Sequence, residues 1–348
     1  MVTALRNLML CALGLAPLAP AWAAGQVTYD PGTAVAVGGL ALVSGDGVRA
    51  LALDDRRPAW QALPRLQTYP PTAVGQRLFV GSSDGLAALD RASGRLLWRA
   101  ARGKTVFSPL AVDDTLYAGT LGGELLAIDA LSGTERWRRR LDGWVYSPAW
   151  SRGQLVAGGS AAALWWIDAG SGSVLRRRDL DQELVAAPVA TARGVVARTY
   201  AGTLLHFDHR GDPLWRVAGL PGALPPLVVG DELLVIGMDG RLRLRTLDDG
   251  RNVWQGRLGS RIVQGPAFAG GEVLLIAESG EAGRLSPGRR RWIARAKLPA
   301  AESGATAVMA SGRWLLIDAE GRAPSVLPWS AVEGADRPPK DRMKETSR

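Results

Sequence analysis

The chain has 348 residues, of which 47% are hydrophobic and 22% charged, and this composition is globular rather than disordered or fibrous. Its 42 lysines and arginines against 33 aspartates and glutamates give a formal charge of +9, which favours acidic partners such as anionic lipid head groups or acidic proteins. A single cysteine excludes both an internal disulfide and a cysteine-ligated metal centre.

The first 24 residues have the pattern of a secretory signal peptide. Arg6 precedes an apolar run at residues 8–15, and the small residues Ala21 and Ala23 suit a signal-peptidase site. The apolar run is too short to span a bilayer. We therefore expect cleavage after residue 23 or 24 and export to the periplasm.

The only cysteine, Cys11, lies inside this apolar run. A lipid-attachment cysteine follows a small residue and a complete apolar stretch, whereas Leu10 precedes Cys11 after only a few apolar residues. We therefore expect no lipid anchor and a mature chain without a thiol. Export also makes nucleic acid an unsuitable partner, and the aromatic-plus-basic motifs of RNA readers are absent.

Residues recur along the chain with a step of 38 to 40 positions, and such a step predicts a stack of like units. Tryptophans follow it at Trp60, Trp98, Trp137, Trp215, Trp254 and Trp292, with Arg176 in the one missing slot. Prolines follow it at Pro70, Pro109, Pro148, Pro188, Pro226 and Pro266. Glycines that close short apolar runs follow it at Gly81, Gly119, Gly158 and Gly237.

The copy from Thr105 to Gly143 shows the unit best. Its strand-like segments at residues 106–112, 115–119, 124–129 and 135–141 are separated by turns rich in Asp, Gly and Ser. No run has the 3.6-residue apolar period of a helix. The unit is therefore predicted to be a four-stranded antiparallel meander.

The turn before the fourth strand has the pattern Asp–x–x–Ser–Gly. It runs from Asp90 to Gly94 and from Asp129 to Gly133, and Asp168 holds the same slot. The aspartate side chain accepts hydrogen bonds from its own turn, and the glycine adopts a positive φ. The tryptophan that follows is expected to cover the gap between neighbouring sheets, at roughly 3–5 kcal/mol relative to alanine.

Sheets of this kind have two apolar faces and must stack, and radial stacking gives a propeller. We predict an all-β fold, an eight-bladed β-propeller of four-stranded antiparallel sheets, as a single domain over residues 25–333. Seven blades are the alternative, since the seventh and eighth copies lose the turn pattern. The polar residues 334–348 are predicted to be a disordered tail.

The repeat resembles the pyrroloquinoline-quinone-type propeller repeat, Gly–x–Leu–x–Ala–Leu–Asp–x–x–Ser/Thr–Gly–x–x–x–Trp. The segments at residues 85–98 and 123–137 match it, the first with one residue fewer between its opening glycine and its aspartate. The repeat occurs in large quinoprotein dehydrogenases and in smaller exported propellers of the BamB family, which are non-enzymatic scaffolds of outer-membrane β-barrel assembly. The length of this chain matches the smaller kind. The resemblance therefore implies a monomeric periplasmic scaffold for an envelope protein, such as the β-barrel assembly complex, in association with the outer membrane.

Two alternatives stay open. One is a sensory or ligand-binding propeller of the cell envelope, with a small molecule or a carbohydrate in its axial funnel. The other is a quinone-dependent dehydrogenase, for which the resemblance implies calcium, an aspartate base, a tryptophan floor and an adjacent-cysteine disulfide. The chain has no cysteine pair, and its repeated aspartates all lie in turns. We therefore predict no catalytic residue, no metal and no cofactor.

The two histidines, His206 and His209, have a spacing that could suggest metal ligands. Residues three apart on a strand point to opposite faces, and Asp208 occupies the turn slot of the repeat. We therefore predict a surface turn at this place.

Partner-binding residues are predicted where aromatic and basic side chains lie near the start of the innermost strands or on outer strands. Arginine runs on outer strands protect exposed edges from aggregation or form a basic rim for an anionic membrane or an acidic partner. Aromatic side chains at the mouth of the axis suit capture of a peptide or loop. The predicted set is Trp144, Tyr146, Arg138, Arg139, Arg176 and Arg177.

Overall fold

The computed structural model describes residues 34–55, 57–222, 224–262, 266–298, 306–310, 313–317, 325–326 and 330–331. All regular structure in these residues is β-strand, and no helix in them is long and apolar enough to cross a membrane. The predicted signal peptide with Cys11 and the predicted polar tail lie outside the described residues.

The first half of the chain forms four sheets in meander order. Sheet 1 consists of β1 (Ala34–Val37), β2 (Leu40–Ala52) and β3 (Pro58–Gln67). Sheet 2 consists of β4 (Thr72–Val74), β5 (Arg77–Ser82), β6 (Gly85–Asp90) and β7 (Leu96–Ala100). Sheet 3 consists of β8 (Leu110–Val112), β9 (Thr115–Gly119), β10 (Glu124–Asp129) and β11 (Glu135–Arg140). Sheet 4 consists of β12 (Ala149–Ser151), β13 (Gln154–Gly158), β14 (Ala163–Asp168) and β15 (Val174–Asp179).

The second half continues the same pattern. Sheet 5 consists of β16 (Val189–Thr191), β17 (Gly194–Arg198), β18 (Leu204–Asp208) and β19 (Pro213–Val217). Sheet 6 consists of β20 (Leu227–Val229), β21 (Glu232–Ile236), β22 (Arg241–Thr246) and β23 (Asn252–Arg257). Sheet 7 consists of β24 (Ala267–Ala269), β25 (Glu272–Ile276), β26 (Glu281–Ser286) and β27 (Arg291–Lys297), with β31 (Ser330–Ala331) as a fifth strand. Sheet 8 consists of β28 (Thr306–Ala310), β29 (Arg313–Ile317) and β30 (Ser325–Val326).

All strand pairs are antiparallel, which confirms the predicted all-β meander of four-stranded sheets. In sheet 3 the first strand begins at Leu110, later than predicted, and only an isolated bridge joins Val106 to Thr120. The cause is Pro109, which has no N–H to donate to the neighbouring strand. In sheet 2 the strand begins directly after Pro71, so Pro71 rather than Pro70 holds the repeated position.

Seven blades complete the four-strand pattern, and the expectation of eight is not met. In sheet 1 the strand β2, with 13 residues, spans the second and third strand positions. In the described residues, sheet 8 has three short strands, and Ala331 stands 39 positions beyond Trp292, where another copy would carry its tryptophan. Sheet 8 instead closes the ring, because β28 contacts β1 and Leu315 packs in one cluster with Val43.

Tryptophans on the outer strands of sheets 1, 2, 3 and 5 pack on a turn of the following sheet. The indole N–H of Trp137 in sheet 3 donates to the carbonyl oxygen of Ala169 in sheet 4 at 2.9 Å. A Cβ added at Gly172 would lie 2.6 Å from Cε3 of Trp137, so the ring covers the turn where that glycine stands. The same arrangement recurs for Trp60 over the turn of sheet 2 and for Trp215 over the turn of sheet 6.

The aspartate turns are held by their own side chains. Each aspartate accepts hydrogen bonds from the backbone N–H and the hydroxyl of the serine three positions on, in the pairs Asp90–Ser93, Asp129–Ser132 and Asp168–Ser171. In sheet 3 the guanidinium of Arg136 also bonds Asp129 at 2.6 Å and, with the serine bonds, holds the pKa of that carboxyl well below its usual range. These turns are thus rigid supports for the tryptophans that pack on them.

At its interface with sheet 5, sheet 4 carries a tryptophan on its third strand rather than on its fourth, a reversal of the pair in sheet 3. In sheet 3 the small Ala127 of the third strand is the register partner of Trp137, whereas in sheet 4 Trp166 is the partner of Arg176. A Cβ added at Gly211 of sheet 5 would lie 3.0 Å from both Cε2 of Trp166 and Cδ of Arg176. The indole on the third strand therefore occupies the space that an outer-strand tryptophan fills elsewhere.

Replacing Gly133 tests the contact between a tryptophan and its turn. Gly133 has a φ of +76°, and a Cβ there would lie 2.7 Å from Cδ2 of Trp98. Gly103 has a φ of +75° with no atom within 4 Å of its Cβ position. Both alanine variants bear a backbone strain of roughly 1–2 kcal/mol, and we expect Gly133→Ala to lose about 1–3 kcal/mol more through crowding. Urea unfolding measures both variants, and equal losses would contradict the contact.

Restoring the usual pair in sheet 4 tests the reversal. Trp166→Ala is expected to lower the free energy of unfolding by about 3–5 kcal/mol, and Arg176→Trp by about 1–3 kcal/mol through overpacking. The double variant recreates the arrangement of Ala127 and Trp137, so we expect its loss to be smaller than the sum by about 0.5–3 kcal/mol. The measurement is a double-mutant cycle by urea unfolding, and additive losses would refute the reversal.

Candidate partner-binding face

The two ends of the ring differ in the turns that they present. In an antiparallel meander the turns between second and third strands lie at the same end as the connections from one sheet to the next. Backbone hydrogen bonds join these two kinds of segment, for example from Leu121 N–H to the carbonyl oxygen of Thr105 at 3.1 Å and from Tyr200 N–H to that of Glu183 at 3.1 Å. We call this end the connection face and the opposite end the hairpin face.

Exposed apolar side chains follow one another along part of the connection face, from sheet 3 to sheet 6. The exposed fractions are 51% for Leu121, 38% for Trp144, 69% for Tyr200 and 54% for Met238. Leu121, Tyr200 and Met238 hold equivalent turn positions in sheets 3, 5 and 6. We call these four residues the apolar rim. Exposed apolar groups of this kind are typical of protein interaction sites when they occur together.

The apolar rim covers only part of the connection face. The equivalent turn position is Ser83 in sheet 2, Ser160 in sheet 4 and Glu278 in sheet 7. In sheet 4 the place is taken by Trp144, whose carbonyl oxygen accepts the N–H of Ser160 at 3.2 Å. The rim therefore gives the ring one side suited to a partner.

Tyr146, predicted together with Trp144, lies in a row of aromatic rings beside the innermost strands. Its ring is 5.8 Å from that of Phe107, which is 5.3 Å from that of Tyr69 in the preceding sheet. Tyr146 is only 5% exposed. It therefore packs inside the ring and does not share a surface with Trp144.

The predicted arginines of sheet 3 are engaged within the fold. Arg138 donates to Glu135 at 2.6 Å and to Glu124 at 3.2 Å. Arg139 donates through Nε to the carbonyl oxygen of Gly172 in sheet 4 at 2.6 Å. These two residues link strands and sheets rather than forming a patch of unpaired charge.

The predicted arginines of sheet 4 are engaged in the same way. Arg176 donates to Asp212 of sheet 5 at 2.7 Å. Arg177 donates to Asp142 at 3.2 Å and to Asp179 at 2.9 Å. Such exposed pairs contribute at most about 1 kcal/mol each, and their main effect here is to balance the basic charge of the outer strands.

The two histidines point to different sheets, and His206 corrects the expectation of a surface turn. His206 is fully buried, with Nε2 2.9 Å from Oγ1 of Thr191, and burial lowers the pKa of the imidazole to about 4. His209 lies in the turn, with Nδ1 2.8 Å from Oγ of Ser151 in sheet 4. The pair therefore does not converge on one point.

A buried arginine between sheets 5 and 6 was not expected from the sequence. Arg198 stands where the repeat has a glycine, as at Gly158, and is 0% exposed. It donates to the carbonyl oxygens of Leu220, Leu224 (2.5 Å) and Ile236 (2.8 Å), and burial lowers the pKa of the guanidinium to about 10. The missed signal was an arginine in a slot where the preceding copies carry Gly81, Gly119 and Gly158.

The acidic side chains of the described residues do not gather into a metal site. Within the described ranges, no three His, Cys, Asp or Glu side chains are placed to share a metal ion. The calcium-binding set that the quinoprotein resemblance implies has no counterpart there, so we derive no chemical step through a quinone.

Solved structures share this fold at low sequence identity. The crystal structure of BamB from Moraxella catarrhalis matches with a TM-score of 0.65 at 17% identity, over 85% of this chain and 96% of that one. The computationally designed protein Ika8 matches with 0.72 at 12% identity, over 87% and 97%. A europium-containing methanol dehydrogenase matches with 0.65 at 13% identity, over 84% of each chain. These likenesses show the fold alone.

A comparison of the sequence with models of known families identifies the family of this chain. No curated protein matches the chain. The sequence model of the family described as outer membrane protein assembly factor BamB matches residues 44–144 and 140–336, which together are most of the chain. The chain therefore belongs to the BamB family of PQQ-like β-propellers.

Proposed function

We propose that this chain is a non-enzymatic periplasmic scaffold that binds a component of outer-membrane β-barrel assembly. The observation that carries the proposal is the apolar rim, which gives a propeller of the BamB family one interaction side on its connection face. The chain works in the periplasm near the outer membrane, as a monomer.

The charges of the fold support a protein partner over a membrane surface. The arginines predicted as a basic rim, Arg138, Arg139, Arg176 and Arg177, all bond carboxylates or carbonyl oxygens of the chain itself. Electrostatic attraction to anionic lipid needs cations that remain available to the head groups. Exposed rings and aliphatic chains at turn tips instead suit a complementary protein surface.

Serine substitutions in the apolar rim test the proposal. We expect the tagged chain, purified from envelope extracts of its host, to retain the host's outer-membrane β-barrel assembly protein. The variant Leu121→Ser, Tyr200→Ser, Met238→Ser is expected to retain at least about tenfold less, because each exposed contact at an interface contributes about 1 kcal/mol. Quantitative mass spectrometry of the eluate measures the retention.

The matched control has equally exposed apolar residues at the other end of the ring. Leu131, Val174 and Leu175 are 69%, 43% and 54% exposed and lie at or beside turns of the hairpin face. Their serine variant is expected to retain the assembly protein fully. Absence of the assembly protein from the wild-type eluate would refute the proposed function. Equal loss of the assembly protein in both variants would refute the role of the apolar rim in binding it.

A further inference from the structure

A cleft of about 280 Å³ opens between sheets 4 and 5, beside the apolar rim. Its lining includes the apolar side chains of Leu180, Leu205 and Phe207 and the charged side chains of Asp181 and Arg216. The cleft is smaller than most small-molecule sites, which measure about 300–1,000 Å³. Its size therefore suits one side chain better than a whole ligand.

The preceding interface, between sheets 3 and 4, has an equivalent arginine–aspartate ion pair, which we call the charged frame, and a tryptophan lies beneath it. There Arg177 bonds Asp142 at 3.2 Å, and its guanidinium lies 5.8 Å from the ring centre of Trp165. Trp165 is the register partner of Arg177 and is buried in a cluster with Leu125 of sheet 3. The chain thus fills this interface with an indole lying under an arginine.

The charged frame recurs at the interface between sheets 4 and 5, but no tryptophan takes the place of Trp165 there. Arg216 and Asp181 stand 39 positions beyond Arg177 and Asp142 and form the same ion pair. The register partner of Arg216 is Leu205, in the place that Trp165 holds in the sheet before. Because leucine is much smaller than tryptophan, the volume under the guanidinium is left as the cleft.

We propose that this cleft binds an aromatic side chain of a partner polypeptide, with an indole as the best fit. The ring would lie on Leu205 and Phe207, with the guanidinium of Arg216 above its face, as Arg177 lies over Trp165. A cation held over an aromatic face is attracted by the ring quadrupole. The ion pair with Asp181 keeps Arg216 in place for this contact.

The cleft is continuous with the apolar rim. Its residue Gln182 accepts the N–H of Ala201 at 3.0 Å, and the neighbouring Tyr200 N–H donates to Glu183 at 3.1 Å. A polypeptide that lies on Tyr200 can therefore place a side chain in the cleft. The inference rests on the proposed function only in that the aromatic residue belongs to a bound protein.

A fluorinated peptide tests the cleft directly. The probe is acetyl-Gly-fluorotryptophan-Gly-amide, observed by fluorine NMR while the full chain is titrated into it. We expect a saturable shift with a dissociation constant in the millimolar range, as befits one side chain. Leu205→Trp should abolish the shift because it supplies the missing indole from within. Arg216→Gln should weaken binding about two- to fivefold, which is what a surface cation–π contact contributes.

The matched control is Arg177→Gln, which changes the same residue type in the frame that Trp165 already fills. This variant should bind the peptide as the wild type does. Circular dichroism and thermal unfolding establish that each variant is folded. Unchanged binding in Leu205→Trp, or no saturable shift with the wild type, would overturn the inference. The peptide needs no assembly protein, so its result is independent of the purification experiment that tests the scaffold.

Discussion

The contact between an outer-strand tryptophan and a turn of the next sheet holds this propeller together. A four-stranded sheet buries its faces only against its neighbours, so each sheet depends on the ones beside it. The indole N–H of Trp137 fixes the relative position of two sheets by donating to Ala169. Because the ring lies where the side chain of Gly172 would start, no larger residue fits in that turn. One contact thus accounts for both the tryptophans and the turn glycines of the repeat.

The fold could be predicted because this contact recurs at a nearly constant step. In the copy from Thr105 to Gly143 the second and third strands have the predicted bounds and the fourth ends one residue early, since turns delimit them. The first strand was predicted too long, because alternation of apolar residues does not show where Pro109 interrupts pairing. The blade number could not be decided from the turn pattern, because the seventh and eighth copies both lose it and the seventh still forms its fourth strand, β27.

The candidate face was less predictable, because it depends on which turns the ring brings together. Trp144 could be found as an aromatic residue beside an innermost strand, but its neighbour Tyr146 has the same character and is buried. Leu121, Tyr200 and Met238 were missed. A single apolar residue in a turn does not indicate a binding surface, and only the fold shows that these three turns lie together on the connection face. The arginines were expected to be available to a partner. Several acceptors lie about 35 residues away, on the next sheet for Arg139 and Arg176 and in the connection from sheet 3 to sheet 4 for Arg177, and no local pattern reveals such pairs.

The closure of the ring between β28 and β1 has a consequence for folding. These strands are separated by roughly 270 residues, so sheet 1 has no neighbour on that side until almost the entire polypeptide is available to fold. Contacts of such long range form slowly, and in the interval Val43 and Leu51 stay open to water. A chaperone that shields apolar segments before folding would stay bound longest at sheet 1. It would be released when sheet 8 packs against that sheet.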